Sequence, residues 1–239
     1  MNEPTFDSAL HFDDKRAAVY DQLIRQVVPG YDVLHRLIRL QLHALLGAEA
    51  HVLVPGAGTG MEIVTLGATR PNWRFTAIDP SPGMLEAARE RIGRAGLGGH
   101  ATFHQGTVDG LAQAPLFDAA CLVLVLHFVP DDGAKTLLLR AVGERLRPGA
   151  PLILADLFGE PESVPFRRLM AVWHDWQLDA GIEPEDVEKG FRHVVKDIHF
   201  VTENRLAELL AGAGFTAPEP FFRTLHFGGW MAMKNGVGF

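Results

Sequence analysis

A glycine-rich turn is the stretch of this sequence with the clearest capacity for chemistry. Residues 51–60 read His-Val-Leu-Val-Pro-Gly-Ala-Gly-Thr-Gly, which predicts a short strand at 52–54, a turn, and a helix that begins near Thr59. Because glycine has no Cβ, the main chain at Gly56, Gly58 and Gly60 can take positive φ values and lie against a bound ribose or carboxylate. The spacing differs from the dinucleotide fingerprint Gly-x-Gly-x-x-Gly, whose third glycine would fall at Met61.

Asp79 is the second residue suited to binding a ligand at this site. It follows a strand predicted at 73–78 and lies nineteen positions beyond Gly60. A carboxylate offers two acceptor oxygens in a fork, so it can accept both hydroxyls of a ribose. The turn and the acid together predict a nucleoside-binding site, whereas the glycines alone are also compatible with a tight strand-to-helix loop that binds nothing.

This combination resembles the class I S-adenosylmethionine-dependent methyltransferases, in which Gly-x-Gly-x-Gly follows the first strand and an acid ends the second. The resemblance implies S-adenosylmethionine as the cofactor, or S-adenosylhomocysteine as the bound product. Val54 is a departure from that family, because an acid often occupies this position and helps to hold the methionine ammonium group.

Length and charge narrow the function classes. A chain of 239 residues with 47% apolar residues suits one α/β domain with additions. A net charge of -7 and a pI near 5.9 argue against direct nucleic acid binding. The start of the chain, residues 1–14, is polar and acidic, and the longest apolar run is about half of the roughly 20 residues that a membrane helix needs. We therefore expect a cytoplasmic protein that does not bind membranes.

The single cysteine and the histidines carry weaker signals. Cys121 lies in the apolar run 119–126, where a buried small hydrophobe is a better interpretation than a nucleophile. His174, His193 and His199 have no compact ligand spacing, so we predict no metal site.

Strands and helices alternate regularly after the glycine turn, which predicts a mostly parallel sheet with right-handed crossovers. The last strand pair, 215–222 and 225–233, is similar to the reversed final hairpin of the seven-stranded methyltransferase sheet. The predicted fold class is therefore α/β and Rossmann-like, with helices on both faces. We expect a helical cap at 1–47 and a cofactor-binding domain at 48–239, with a helical insert at about 160–200.

The cap should contain two helices, at 15–28 and 34–47, separated by Pro29-Gly30. These helices either form a lid over the cofactor or only cover an edge of the sheet. Tyr31, directly after the break, is the loop residue expected nearest the ligand. In the insert, Trp173 and Trp176 either shape an acceptor pocket or serve ordinary helix packing.

Polar residues follow the predicted fourth and fifth strands, 117–126 and 151–155. His127 and Asp156 come at these strand ends, and strand ends at this edge of an α/β sheet face the ligand crevice. His127 is therefore the candidate general base, with a supporting polar role as the alternative.

Further segments resemble the carboxy-S-adenosylmethionine synthases, once taken for transfer RNA uridine methyltransferases. The segments are 27–31, 77–84, His174-Asp175, 213–215 and 227–229. Arg192 would meet the extra carboxylate if the alignment shifts by one residue. In that family an acid is usual at Thr107 and an asparagine at Val123. Together the two resemblances imply these cofactor-binding residues: Tyr31, Gly56, Ala57, Gly58, Gly60, Asp79, Pro80, Met84, Thr107, Val108, Val123 and Arg192.

The predicted function is transfer of a methyl group to a small-molecule acceptor, which requires alignment and a dry pocket more than elaborate acid-base chemistry. One alternative is a carboxy-S-adenosylmethionine synthase-like enzyme that acts in transfer RNA wobble uridine modification. Another is a non-catalytic module that binds the cofactor. The sequence leaves open the acceptor and the oligomeric state, with a homodimer among the alternatives.

Overall fold

A seven-stranded sheet organises the fold. A computed structural model describes residues 14–112 and 115–236. The sheet has the order β3-β2-β1-β4-β5-β7-β6. In chain order the strands are β1 (His51–Pro55), β2 (Arg74–Asp79), β3 (Ala101–Gln105), β4 (Ala119–Val123), β5 (Pro151–Leu157), β6 (Glu219–Thr224) and β7 (Phe227–Met233). The part of the predicted cap at residues 1–13 lies outside the described residues.

Eight α-helices accompany the sheet within the described part of the chain. They are α1 (Asp14–Val27), α2 (Tyr31–Leu45), α3 (Met61–Gly67), α4 (Pro82–Arg94), α5 (Ala134–Glu144), α6 (Val164–Asp179), α7 (Pro184–Asp197) and α8 (Glu203–Gly212). Helix α4 begins as the sequence predicts, because the Ser81 hydroxyl caps it by accepting the Met84 N–H and Pro82 takes its first position.

The first five strands are parallel, and β7 runs antiparallel between β5 and β6. This confirms the predicted α/β class and the reversed final hairpin. Strands β4 and β5 are buried at every position, as expected for central strands with helices on both faces. Apolar side chains of α2, α3 and α4 cover one face, and those of α5 and α8 cover the other.

The fourth strand is shorter than the predicted range 117–126. It ends at Val123, and Leu124 takes a positive φ of 56° that turns the chain out of the sheet. A short 3-10 turn, Leu126–Phe128, follows. The prediction that the strand continues to Leu126 is therefore wrong. Its apolar run continues because the turn is also buried, and a continuous apolar run does not distinguish a buried strand from a buried turn.

Other boundaries also shift. Strand β5 extends two residues beyond the predicted end at 155, so Asp156 lies within the strand and does not follow it. Helix α3 begins at Met61 and not near Thr59, because Gly60 holds the left-handed position before it. The helix pair α6 and α7 occupies the range predicted for the helical insert.

The cap and the insert pack against each other over one edge of the sheet. Trp173 Nε1 donates to the Val27 carbonyl at 2.7 Å, and Trp176 Nε1 donates to the Gln26 carbonyl at 2.8 Å. Trp173 also joins an apolar cluster with Tyr31, at the start of α2. Both tryptophans thus take part in helix packing, and they fix the end of α1 to α6.

Candidate functional site

A cavity of about 740 Å³ opens at the carboxyl edge of the parallel strands. This volume lies within the range of small-molecule sites. The cavity extends from the end of β1, past the ends of β2 and β3, to the loop after β4 and to α5. Eight of the twelve predicted cofactor residues line it, namely Gly56, Gly58, Asp79, Pro80, Met84, Thr107, Val108 and Val123.

The glycine turn brings main chain directly to this cavity. Gly56 and Gly58 both adopt positive φ values, 64° and 49°. A Cβ at Gly56 would lie 2.3 Å from Val125 Cγ2, whereas one at Gly58 would meet nothing within 4 Å. Gly56 is therefore required by its packing as well as by its backbone, and the space above Gly58 is available to a ligand.

Asp79 joins the glycine turn to the end of β2. Its Oδ2 accepts the Gly58 N–H and its Oδ1 accepts the Ser81 N–H, each at 2.9 Å. The residue is only 7% exposed, and this burial raises the pKa of the carboxyl against the two N–H donors, which lower it. Each oxygen accepts two hydrogen bonds readily, so one acceptor position on each oxygen is available to a ribose hydroxyl.

Thr107, Val108 and Val123 form the other wall, where β3 and β4 end. Val108 and Val123 are buried and apolar, so this wall suits the flat face of a purine better than its polar edge. The assignment of these three residues to the cofactor remains a prediction, and their position at one cavity supports it.

Four predicted residues do not line the cavity. Ala57 and Gly60 belong to the glycine turn, but Ala57 is buried and a Cβ at Gly60 would lie 3.0 Å from Ile92 Cδ1 of α4. The buried Tyr31 packs in the apolar cluster with Trp173. Arg192 is exposed on α7. The structure thus brings together the strand-end residues, and not the two residues contributed by the cap and the insert.

A buried ion pair behind the glycine turn was missed by sequence reasoning. His35 Nε2 lies 3.1 Å from Glu62 Oε1, and His35 Nδ1 donates to the Tyr31 carbonyl at 3.1 Å. Burial lowers the pKa of His35, but Glu62, the Tyr31 carbonyl and Asp32 together outweigh burial, so that the pKa is raised overall. A sequence signal exists, since His35 lies on the apolar stripe of α2 between Leu34 and Ile38.

A second buried polar cluster holds the 3-10 turn after β4. His127 is 5% exposed, and its Nδ1 makes a short hydrogen bond with Asp156 Oδ1. Asp156 Oδ2 accepts the His127 N–H at 3.1 Å. Lys135 Nζ donates to the Leu126 carbonyl at 2.6 Å. His127 does not line the cavity itself, but the neighbouring Phe128 does.

Helix α1 contacts the glycine turn through one carboxylate. Asp21 Oδ1 accepts the Thr59 hydroxyl at 2.7 Å, and Asp21 Oδ2 pairs closely with Arg91 of α4. Helix α1 of the cap is therefore fixed to the glycine turn, while helix α2 of the cap covers a face of the sheet. The choice between a lid and an edge cover therefore stays a prediction.

Other candidate chemistry is absent from the described side chains. Cys121 is buried in β4, and burial raises the pKa of its thiol, which disfavours a nucleophilic role. Among the described side chains, no three His, Cys, Asp or Glu residues come together as a metal site. Within the same part of the chain, none of the helices combines the length and the apolar character needed to cross a membrane.

Residues 53–152 match the protein family described as "Methyltransferase domain". Together with the seven-stranded sheet and its reversed hairpin, this match supports the predicted resemblance to the class I S-adenosylmethionine-dependent methyltransferases and S-adenosylmethionine as the cofactor.

Curated proteins similar to this chain include carboxy-S-adenosyl-L-methionine synthases. One, from Chromohalobacter salexigens, is 26% identical, and the match covers 94% of this chain and 83% of that protein. Another, from Campylobacter curvus, is 25% identical, with 93% and 94% covered.

Solved methyltransferase structures share the fold. Human N-acetylserotonin methyltransferase, in complex with S-adenosylmethionine, has a TM-score of 0.65 at 16% identity, covering 99% of this chain and 61% of that one. An O-methyltransferase family protein from Burkholderia thailandensis has a TM-score of 0.59 at 15% identity, covering 87% and 59%. This chain thus spans about three fifths of the length of these solved chains.

Proposed function

We propose that this enzyme transfers the methyl group of S-adenosylmethionine to a small-molecule acceptor, with His127 as the base that takes the acceptor proton. The observation that carries the proposal is the buried hydrogen bond between His127 and Asp156 beside the cofactor cavity. A histidine oriented by a carboxylate is a recurrent arrangement for a general base.

The proposal gives each nitrogen of His127 a role. With Nδ1–H donated to Asp156, Nε2 carries the lone pair that can accept a proton. Asp156 also accepts the His127 and Leu157 N–H groups, and Lys135 holds the Leu126 carbonyl. The imidazole and the turn that carries it are therefore held in place, and the acceptor would have to reach Nε2 from the cavity that the neighbouring Phe128 lines.

The bound cofactor supplies an activated methyl group on a sulfonium. The chain supplies binding at the cavity, through main chain at Gly58, the Asp79 carboxylate, and the apolar wall at Val108 and Val123. The cap and the insert cover the neighbouring strand ends with apolar side chains, which excludes water from the space where an acceptor would lie.

A second candidate function is carboxy-S-adenosylmethionine synthesis, favoured by the similarity to the synthases over 94% of the chain. A carboxylated cofactor requires a fixed cation near the sulfonium, because an unpaired buried carboxylate costs several kcal/mol. Arg192, which the synthase resemblance offers for this role, is exposed and does not line the cavity. Methyl transfer is therefore our first choice.

The test is incubation with methyl-labelled S-adenosylmethionine and a metabolite extract. We expect label in a small molecule, and His127→Ala should lower turnover about 100-fold with cofactor affinity unchanged. Asp156→Asn should also lower turnover, because Asp156 orients His127. His100→Ala is the matched control, since His100 lies at the opposite edge of the sheet.

Three results would count against the proposal. Equal losses of affinity and turnover in His127→Ala would assign that residue to structure. Unchanged turnover would exclude it as the base. Cofactor binding without label in any acceptor would favour a non-catalytic module.

A further inference from the structure

Lys135, in the first turn of α5, is the one lysine or arginine that is buried in the described part of the chain. Its side chain is fully covered, and its Nζ donates to the Leu126 carbonyl at 2.6 Å. Burial of an ammonium group costs several kcal/mol unless an opposite charge compensates it. A backbone carbonyl needs only a neutral donor, so the contact with Leu126 does not by itself account for a lysine at this position.

Asp156 is the opposite charge that lies in the same part of the core. Lys135, Asp156 and His127 line one small cavity of about 10 Å³. This cavity has room for no more than about one water molecule, so bulk solvent does not screen the charges that line it. Glu62 and Asp79, the other buried acidic residues of the described chain, lie at the glycine turn and at the start of the helix that follows it.

The carboxylate of Asp156 meets N–H groups on both oxygens. Its Oδ1 is hydrogen-bonded to His127 Nδ1 and accepts the Leu157 N–H at 2.7 Å, while its Oδ2 accepts the His127 N–H at 3.1 Å. Such a set of donors suits an ionised carboxylate. Burial lowers the pKa of the Lys135 ammonium, and the negative charges of Asp156 and Asp131 oppose this effect. The lysine and Asp156 therefore interact electrostatically.

Charge balance within this cluster decides whether His127 can act as a base. With Lys135 and Asp156 both ionised, the two charges cancel and the imidazole is neutral, so that Nε2 keeps its lone pair. Without the lysine charge, a proton on His127 would compensate Asp156, because a nearby carboxylate favours the imidazolium form. A protonated imidazole has no lone pair and cannot take a proton from an acceptor.

Four other charged or titratable side chains lie near this turn, and none of them lines the small cavity: Asp131, Arg205, His193 and His199. Asp131 and Arg205 form a bidentate pair at the surface, with distances of 2.9 and 3.1 Å. His193 is hydrogen-bonded to Asp197 at 2.7 Å, and the His199 main-chain N–H donates to the His127 carbonyl at 2.8 Å. Lys135 is therefore the cation that shares the cavity with the carboxylate.

We propose that Lys135 is a positioning residue for proton transfer, whose ammonium charge balances the Asp156 carboxylate and thereby keeps His127 neutral, with the Nε2 lone pair available. The inference rests on the proposed function, since it concerns the same base. Lys135 does not line the cofactor cavity, so it acts on the reaction through the electrostatic field at His127. Because it also holds the Leu126 carbonyl, its charge and its hydrogen bond must be separated by experiment.

Three substitutions make this separation. Lys135→Met removes both the charge and the donor at similar volume, and Lys135→Gln keeps a donor for the Leu126 carbonyl without the charge. Leu139→Met, at a fully buried position of the same helix, is the packing control. NMR spectra of protein labelled with ¹⁵N-histidine, recorded over a pH series, report the protonation of each imidazole. The His127 signal is assigned by its loss in His127→Ala.

Both lysine variants should raise the pH at which His127 is half protonated by about one unit relative to wild type, because no adjacent cation opposes the proton. The pH profile of label transfer in the extract assay should move upward by the same amount. At pH values below both midpoints, label transfer should therefore fall about tenfold and recover at higher pH. Cofactor affinity should be unchanged, and Leu139→Met should behave as wild type.

Several outcomes would overturn the inference. An unchanged His127 midpoint in Lys135→Met would exclude the charge effect, and a midpoint that Lys135→Gln restores would assign the lysine to holding the turn. Equal loss of label transfer at every pH would assign it to structure. If the single variants do not fold, Lys135→Met combined with Asp156→Asn leaves no buried charge unpaired. Its midpoint should lie within about half a unit of wild type, and a larger difference would contradict the charge balance.

The His127 midpoint is measured without any acceptor, so it is independent of methyl transfer. Expected midpoint shifts without label transfer to a small molecule would contradict the proposed function and support the charge balance. Label transfer with midpoints that do not move would contradict the role of Lys135 alone.

Discussion

Replacement of Asp79 by alanine tests the cofactor site most stringently. The carboxylate already accepts one N–H on each oxygen, from Gly58 and from Ser81, and retains one acceptor position per oxygen for the ribose. Two hydrogen bonds to a buried charged acceptor contribute about 2 to 3 kcal/mol in total. Asp79→Ala should therefore weaken S-adenosylmethionine binding about 30- to 150-fold.

The same substitution also removes the acceptor that holds the glycine turn, so the two effects must be separated. Calorimetry with S-adenosylhomocysteine and its 2′,3′-dideoxy analogue forms a double-mutant cycle with Asp79→Ala. If Asp79 binds the ribose, wild type should discriminate against the dideoxy compound and the variant should not. Glu144→Ala, at the exposed rim of the same cavity, is the control for charge and should change affinity less than about threefold.

Two results would refute this reasoning. Unchanged affinity in Asp79→Ala would remove Asp79 from the site, and equal discrimination in both proteins would show that it acts only on the turn. Acid pH offers an independent check. Because burial raises the pKa of Asp79 from its usual 3.8, cofactor affinity should begin to fall at a higher pH than an ordinary carboxyl would give.

Three further predictions concern the buried pairs and the insert. The pKa of His35 is raised, so its pair with Glu62 stabilises the fold most below about pH 6.5 and less as pH rises through the folded-state pKa. The melting temperatures of wild type and Glu62→Gln should therefore converge at high pH. A difference in melting temperature that stays constant with pH would contradict the assignment. Asp21→Ala removes the contacts to Thr59 and Arg91 and should weaken cofactor binding about fivefold by calorimetry. Asp32 is an exposed partner of Arg25, so Asp32→Ala is the control and should leave binding unchanged. Equal effects of the two substitutions would show that the contact of α1 with the glycine turn does not support cofactor binding. Arg192→Ala should leave cofactor affinity and label transfer within about twofold of wild type, and a large loss of either would bring Arg192 into the site.

The strand-end residues could be predicted from sequence because local rules place them. A glycine turn after an apolar strand, and an acid at the end of the next strand, must meet at one edge of a parallel sheet. For that reason Gly56, Gly58 and Asp79 line the same cavity. The reversed hairpin was also predictable, although its strands begin later than expected, since Phe215 makes only an isolated bridge to Lys234.

The remaining features depend on contacts between distant segments. The pair of His35 and Glu62 joins residues 27 positions apart, and no local pattern pairs a histidine on an apolar stripe with a particular acid. The fourth strand ends early because Asp156, from β5, accepts the His127 N–H and stabilises the turn. The ring contacts of His226 with Phe166 and Trp173 join the last hairpin to the insert, and sequence spacing does not predict them.

The identity of the cofactor that the protein retains tests methyl transfer most directly. Native mass spectrometry of protein purified from cells, followed by denaturation to release the small molecule, measures the mass of that molecule whatever the acceptor is. We predict plain S-adenosylmethionine or its demethylated product, S-adenosylhomocysteine. The carboxylated cofactor, retained by wild type and lost in Arg192→Ala, would contradict methyl transfer and identify the enzyme as a synthase.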